Sequence, residues 1–141
     1  MPRGGRDHRP GLLRGGRDTG QACRRAARHR RVVGRPGVKR GEVWWADLPP
    51  PVGSRPVIVL TRNAVLHTIG SVVVVLVTRT VRDLPTEVTL GRRQGLPMPC
   101  VANFDNILTI PRDRLTRVMG ACDAQKVQEL DLAIKTALEI R

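Results

Sequence analysis

The sequence predicts a mainly β domain closed by one C-terminal helix, a small curled sheet or barrel. Three observations carry this. Two apolar runs rich in β-branched residues, Pro56–Leu60 and Val72–Val77, lie close together, and only a polar loop containing Asn63 and Gly70 separates them. Short alternating or apolar segments follow, punctuated by Pro and Gly as strands in a sheet are. Helical spacing occurs only at the end, where Val127, Leu130, Ile134, Ala137 and Leu138 share one face.

The first 37 residues hold 11 Arg against 2 Asp, a formal +9, with no sustained apolar periodicity. Such a segment cannot bury enough surface to offset its ordering entropy, so residues 1–37 are expected to be a disordered tail before a domain at 38–141. Three readings of the tail compete: a start-site artefact with the real protein beginning near Val38, a basic arm adding nonspecific RNA affinity, and a transit peptide. Missing Ser and frequent Gly disfavour the last. The body carries 14 basic and 10 acidic residues, +4 of the total +13, a mild bias towards a polyanionic partner.

Within the body, Val43-Trp44-Trp45-Ala46-Asp47-Leu48 reads as a first strand, stopped by Pro49-Pro50-Pro51. The two Val-rich runs form the next hairpin. Their near-continuous apolar character implies burial on both faces. With Thr61 facing Val72, antiparallel pairing sets Arg55 opposite Thr78. Thr86–Leu90 alternates as a half-exposed strand. Cys100–Ala102 is a short strand, Asn103–Asn106 a turn, and Ile107–Ile110 a resumed strand. Arg112–Leu115 suits a helical turn and Arg117–Ala121 a last strand. Asp123 is a suitable N-cap for a helix through Ile140.

Missing chemistry narrows the function. The body has one histidine, His67, read as a solvated loop residue, so a two-histidine ribonuclease site cannot form in one chain. Carboxylates occur singly, without DxD or HExxH spacing, which argues against a metal-dependent nuclease or protease. GxGxxG, GxxxxGK[ST] and GxSxG are absent, so neither a nucleotide cofactor nor a serine elbow is supported. Three cysteines with no CxxC spacing suggest neither zinc nor disulfides and fit a reducing cytosol, with Cys100 a buried structural thiol. No apolar run approaches membrane-spanning length, so no membrane partner is expected. Trp44, Trp45 and Phe104 are the only aromatics, too few for an extended base-stacking platform.

What remains is Arg55 with Thr78, supplemented by Ser54, Arg79 and Arg82 near the same sheet end. An Arg beside a Thr is most often a structural hydrogen bond. The pair also suits a phosphodiester, because guanidinium presents a fixed fork of donors and keeps its charge at every accessible pH. That permanence makes Arg a poor general base and a good electrostatic stabiliser.

The run Lys39-Arg40-Gly41-Glu42-Val43-Trp44-Trp45-Ala46-Asp47-Leu48, then Gly53-Ser54, Arg55-Pro56-Val57-Ile58-Val59 and Val75-Leu76-Val77-Thr78, resembles the MazF/PemK (Kid) family. These are the toxins of bacterial type II toxin–antitoxin pairs. Ala102–Ile107, Arg114-Leu115 and the helical tail extend the likeness over about residues 38–140. The resemblance implies an SH3-like barrel, MazF/CcdB-like, that forms a homodimer. It implies a cytoplasmic mRNA interferase that cuts single-stranded RNA at selected sequences, without metal or cofactor, leaving a 2′,3′-cyclic phosphate and a 5′-hydroxyl. It matches the family's catalytic Arg and Thr to Arg55 and Thr78, leaves Ser54, Arg79 and Arg82 to bind RNA, and implies a cognate antitoxin whose acidic C-terminal segment fills the RNA groove. One departure stands out: family members commonly carry several residues, often with a Glu, between Gly-Ser and Arg-Pro, whereas here Ser54 abuts Arg55.

No general base is evident, since His67 is unplaced and Asp47 lies elsewhere in the strand order. Two rivals are a CcdB-like gyrase-binding toxin and an inactive homologue that only binds antitoxin. The first depends on an aromatic-containing C-terminus, which Ala137-Leu138-Glu139-Ile140-Arg141 lacks.

Overall fold

The computed structural model describes residues 37–141, so the expected disorder of the Arg/Gly-rich tail falls, but for Gly37, outside the described residues. Six antiparallel strands form one sheet: β1 (Glu42–Ala46), β2 (Arg55–Val59), β3 (Ser71–Thr78), β4 (Glu87–Leu90), β5 (Cys100–Pro111) and β6 (Leu115–Ala121). Their order is β4-β5-β3-β2-β1-β6. Three 3₁₀ turns, η1 (Asn63–Val65), η2 (Arg92–Gln94) and η3 (Arg112–Arg114), interrupt the connections, and α1 (Ala124–Leu138) ends the fold.

The β2–β3 ladder pairs Val57 with Leu76, Ile58 with Val75 and Val59 with Val74, the register expected from the two apolar runs. Both faces of this hairpin are buried. On one side Val43, Ile58, Val75, Val77 and Phe104 pack beneath Leu130 and Ala133 of α1. On the other, Trp44, Val57, Val59, Val74, Ile110 and Leu115 gather around Leu66. A run of valines is thus the economical choice, since stiff branched side chains fill both surfaces of a pleated strand.

The expected turn after Ala102 changes. Asn103–Asn106 is no turn: β5 runs unbroken through it, and the partner of β3 jumps from Asn103 opposite Leu76 to Ile107 opposite Val75. Phe104, Asp105 and Asn106 form the bulge. The Asn103 side chain accepts the Asp105 N–H at 3.0 Å, a local contact that favours turns and here accommodates a bulge. The three inserted residues carry the Phe104 ring, 1% exposed, into the core.

Of the curled sheet or barrel expected, the structure takes the open form. No ladder joins β4 to β6, so the barrel is an open sheet whose ends meet without strand pairing. Instead η2, which follows β4, lies against β6. Gly95 and Gly120 face each other there, their Cα atoms so placed that a Cβ on either would come within 2.9 Å of the other.

α1 begins where expected. The Asp123 carboxylate accepts the Lys126 N–H at 2.8 Å, satisfying one of the orphan donors of the first turn. Its buried stripe uses Val127, Leu130, Ala133, Ile134 and Ala137. Leu138, expected on that stripe, is 58% exposed because the helix ends there and Glu139 turns into the left-handed region at φ 54°. Asp123→Ala should lower unfolding stability by about 1 kcal/mol. A urea midpoint equal to the parent's would remove the cap from the account.

Candidate active site

The sheet end where β2 begins and β3 finishes opens into a cleft of about 420 Å³. Ser54, Arg55, Pro56, Val77, Thr78, Arg79 and Thr80 come from the hairpin, and Leu96, Pro97, Met98 and Cys100 from the segment after η2. Residues of both strand parities line it, so the cleft wraps the end of the sheet rather than one face.

Arg55 is half-buried, and its guanidinium is already held. Nε and Nη2 donate to the Val52 carbonyl oxygen at 3.1 and 2.7 Å. The loop behind it is compact: Gly53 N–H donates to Pro49 O, and Ser54 Oγ donates to Asp47 Oδ1 at 2.8 Å. Direct junction of Ser54 to Arg55 therefore produces a short, internally bonded turn that fixes the guanidinium. Thr78, also half-buried, accepts the Thr80 N–H through Oγ1 at 3.1 Å. Its hydroxyl hydrogen is left to donate into the cleft.

The expected residues are only partly gathered. Ser54, Arg55, Thr78 and Arg79 share the cleft, with Arg79 exposed at its rim. Arg82 does not line it. It lies in the exposed loop beyond β3, where its N–H donates to Glu87 Oε1 at 3.0 Å. His67 is exposed after η1, consistent with a solvated loop position. Cys100 is 7% exposed yet forms part of the wall, and its thiol donates to Met98 O at 3.3 Å. Burial pushes this thiol up, opposed by the Arg79 charge, so it stays protonated and unreactive near neutral pH. Among the described residues, no group of three or more His, Cys, Asp or Glu is placed to hold a metal ion.

The sequence reading missed the Leu96-Pro97-Met98 wall, because its position follows from the η2 contact with β6, not from any local pattern. It also set Asp47 apart. The β1–β2 ladder pairs Val43 with Ile58 and Ala46 with Arg55. One further step sets Asp47 opposite Ser54, so that register was available in principle.

Comparison with known proteins supplies the context for this cleft. The probable endoribonuclease MazF2 of Mycobacterium tuberculosis is 48% identical over 89 residues, 60% of this chain and 85% of that protein. Among solved structures, the Mycobacterium tuberculosis toxin MazF-mt6 superposes with a TM-score of 0.67 at 36% identity, covering 71% of this chain and 98% of that one. A mycobacterial endoribonuclease in complex with its cognate antitoxin gives a TM-score of 0.67 at 31% identity, covering 74% and 97% of the two chains. Residues 39–138, nearly the whole of the described fold, match the family of PemK-like, MazF-like toxins of type II toxin-antitoxin systems, and the chain belongs to that family.

Proposed function

We propose that this chain is the toxin of a type II toxin–antitoxin pair, an endoribonuclease whose active unit is residues 38–141. It cuts single-stranded RNA at selected sequences in the cytoplasm, as a homodimer, without metal or cofactor. A cognate antitoxin restrains it. The observation that carries this reading is that Arg55 and Thr78 both line one cleft, within a family whose relatives are named endoribonucleases. No described helix is long and apolar enough to cross a membrane.

The chemistry follows from the donors present. The RNA's own 2′-hydroxyl attacks the adjacent phosphorus, and the reaction concentrates negative charge on the non-bridging oxygens. Arg55 meets that charge with Nη1, which makes no hydrogen bond among the described residues, while Val52 O holds the other side of the fork. Fixing the guanidinium beforehand avoids reorganisation at the moment of reaction. Thr78 Oγ1–H donates to a second phosphoryl oxygen. Ser54 and Arg79 contact the RNA beside the scissile bond, and Arg82 meets the strand further along.

Incubating the full chain with a long single-stranded transcript in excess EDTA tests this. Discrete, chelator-resistant cuts ending in a 2′,3′-cyclic phosphate are expected. An untouched transcript overturns the nuclease reading.

A further inference from the structure

We propose that Ser54 and Asp47 supply the proton acceptor for cleavage, with Ser54 touching the ribose 2′-hydroxyl and Asp47 acting through it. The inference rests on the nuclease reading above and fills its one empty role.

Ser54 lines the cleft beside Arg55. Its Oγ donates its only proton to Asp47 Oδ1 at 2.8 Å. A hydroxyl so committed presents its lone pairs elsewhere, and at this position they are available to a donor within the cleft. An RNA 2′-hydroxyl is such a donor. The acceptor polarity is therefore imposed by Asp47, because a serine free to rotate would donate or accept indifferently.

Asp47 is well fixed for this task. Its N–H donates to Arg114 O at 2.9 Å, tying the end of β1 to η3. Being half-buried, it lies behind Ser54 rather than in the cleft wall. Charged groups on the strands paired with β1 and on η3 are Arg55 on β2, Arg112, Asp113 and Arg114 on η3, and Arg117 on β6.

The step balances without any added reagent but water. The 2′-hydroxyl passes its proton to Ser54 Oγ as the Ser54 proton moves to Asp47. The 2′-oxygen bonds to phosphorus, the bond from phosphorus to the 5′-oxygen breaks, and the departing oxygen takes a proton from water. Asp47 then returns its proton to solvent. Nothing is oxidised or reduced.

The short junction gives this arrangement its place in the fold. With no residues between Ser54 and Arg55, the proton acceptor and the anion-binding fork are consecutive in the chain. The same compact turn holds both.

Asp47→Asn is the informative variant, because the amide oxygen still accepts the Ser54 hydroxyl while it cannot take up a proton. On a short RNA spanning a cut mapped with the full chain, it should lose about a hundredfold in single-turnover rate, the scale of general-base assistance. Binding of the same RNA, made non-cleavable by a 2′-deoxy sugar at the cut, should stay within about twofold, as expected for a group that acts on the proton and not on the strand. The parent's rate should fall as pH drops and Asp47 protonates, and Asp47→Asn should lose this acidic limb. Ser54→Ala should lose a comparable factor and Ser54→Thr, which keeps a hydroxyl, should recover most of it.

If the parent cuts RNA and Asp47→Asn matches it in rate or retains its acidic limb, the pair has no part in proton transfer. The proposal also falls if the loss appears in RNA binding with the rate unchanged. If the parent leaves RNA intact, the nuclease reading fails, and this proposal with it.

Discussion

Arg55→Ala should cut RNA a hundredfold to a thousandfold more slowly than the parent, and Thr78→Ala should fall by a similar factor, the range for removing one preorganised donor from a developing oxyanion. Both side chains are half-buried at a sheet end, outside the two core clusters, so neither truncation opens a core cavity. The loss should appear in the rate of the bound complex, because charge on the non-bridging oxygens grows as the transition state is approached. Arg55→Lys should restore little. A lysine ammonium keeps the charge but cannot make two bonds to Val52 O while presenting a third donor to phosphate. Combining Arg55→Ala with Thr78→Ala should cost less than the product of the separate losses, since both act on one phosphoryl group. Single-turnover cleavage of one mapped RNA, with circular dichroism to verify folding, measures all of these. Parental rates in both single variants would mean that the reaction happens elsewhere.

Much of this site could be read from residue order, because strand registers propagate. Once Val57 faces Leu76, the same register carried two residues on brings Arg55 and Thr78 to one sheet end, and both line the cleft there. The helix was equally legible, since cap chemistry and apolar spacing are local. What escaped reading was set by contacts distant in sequence. The Asn103–Asn106 segment carries turn residues, yet Phe104 gains more by entering the core than the chain would by reversing, so a bulge results. Arg82 is only four residues beyond Thr78, but Glu87 accepts the backbone N–H groups of Arg82 and Leu84 and draws the loop away from the cleft. Asp47 looks remote from Arg55 and Thr78 while only the β2–β3 pairing is considered. The adjacent ladder, read with the same rule, returns it to Ser54.

Closure of the sheet sets the other large effect. With no ladder between β4 and β6, the ends of the fold are held by η2 lying on β6, backbone against backbone. A Cβ on Gly95 would come within 2.6 Å of the Met119 carbonyl carbon, and one on Gly120 within 2.6 Å of the Gln94 carbonyl carbon. Neither obstacle can rotate aside, because each is main chain in a fixed element. Gly95 also has φ +87°, where any side chain adds backbone strain. Gly95→Ala and Gly120→Ala should therefore each destabilise by about 3 kcal/mol, at the upper end of overpacking. For a domain of this size that lowers the melting temperature by roughly 15 °C. Gly91→Ala is the control: its φ of −163° is extended backbone, and nothing lies within 4 Å of a Cβ there. It should melt within a few degrees of the parent. The double variant Gly95→Ala/Gly120→Ala should fall short of the summed losses, because the first methyl already separates the seam that the second would occupy. Leu96, Pro97 and Met98 leave η2 directly to wall the cleft, so the molecules that remain folded should also bind RNA less tightly. Parental melting in Gly120→Ala would show that β6 and η2 can part without loss, and that the cleft wall is held by something other than this seam.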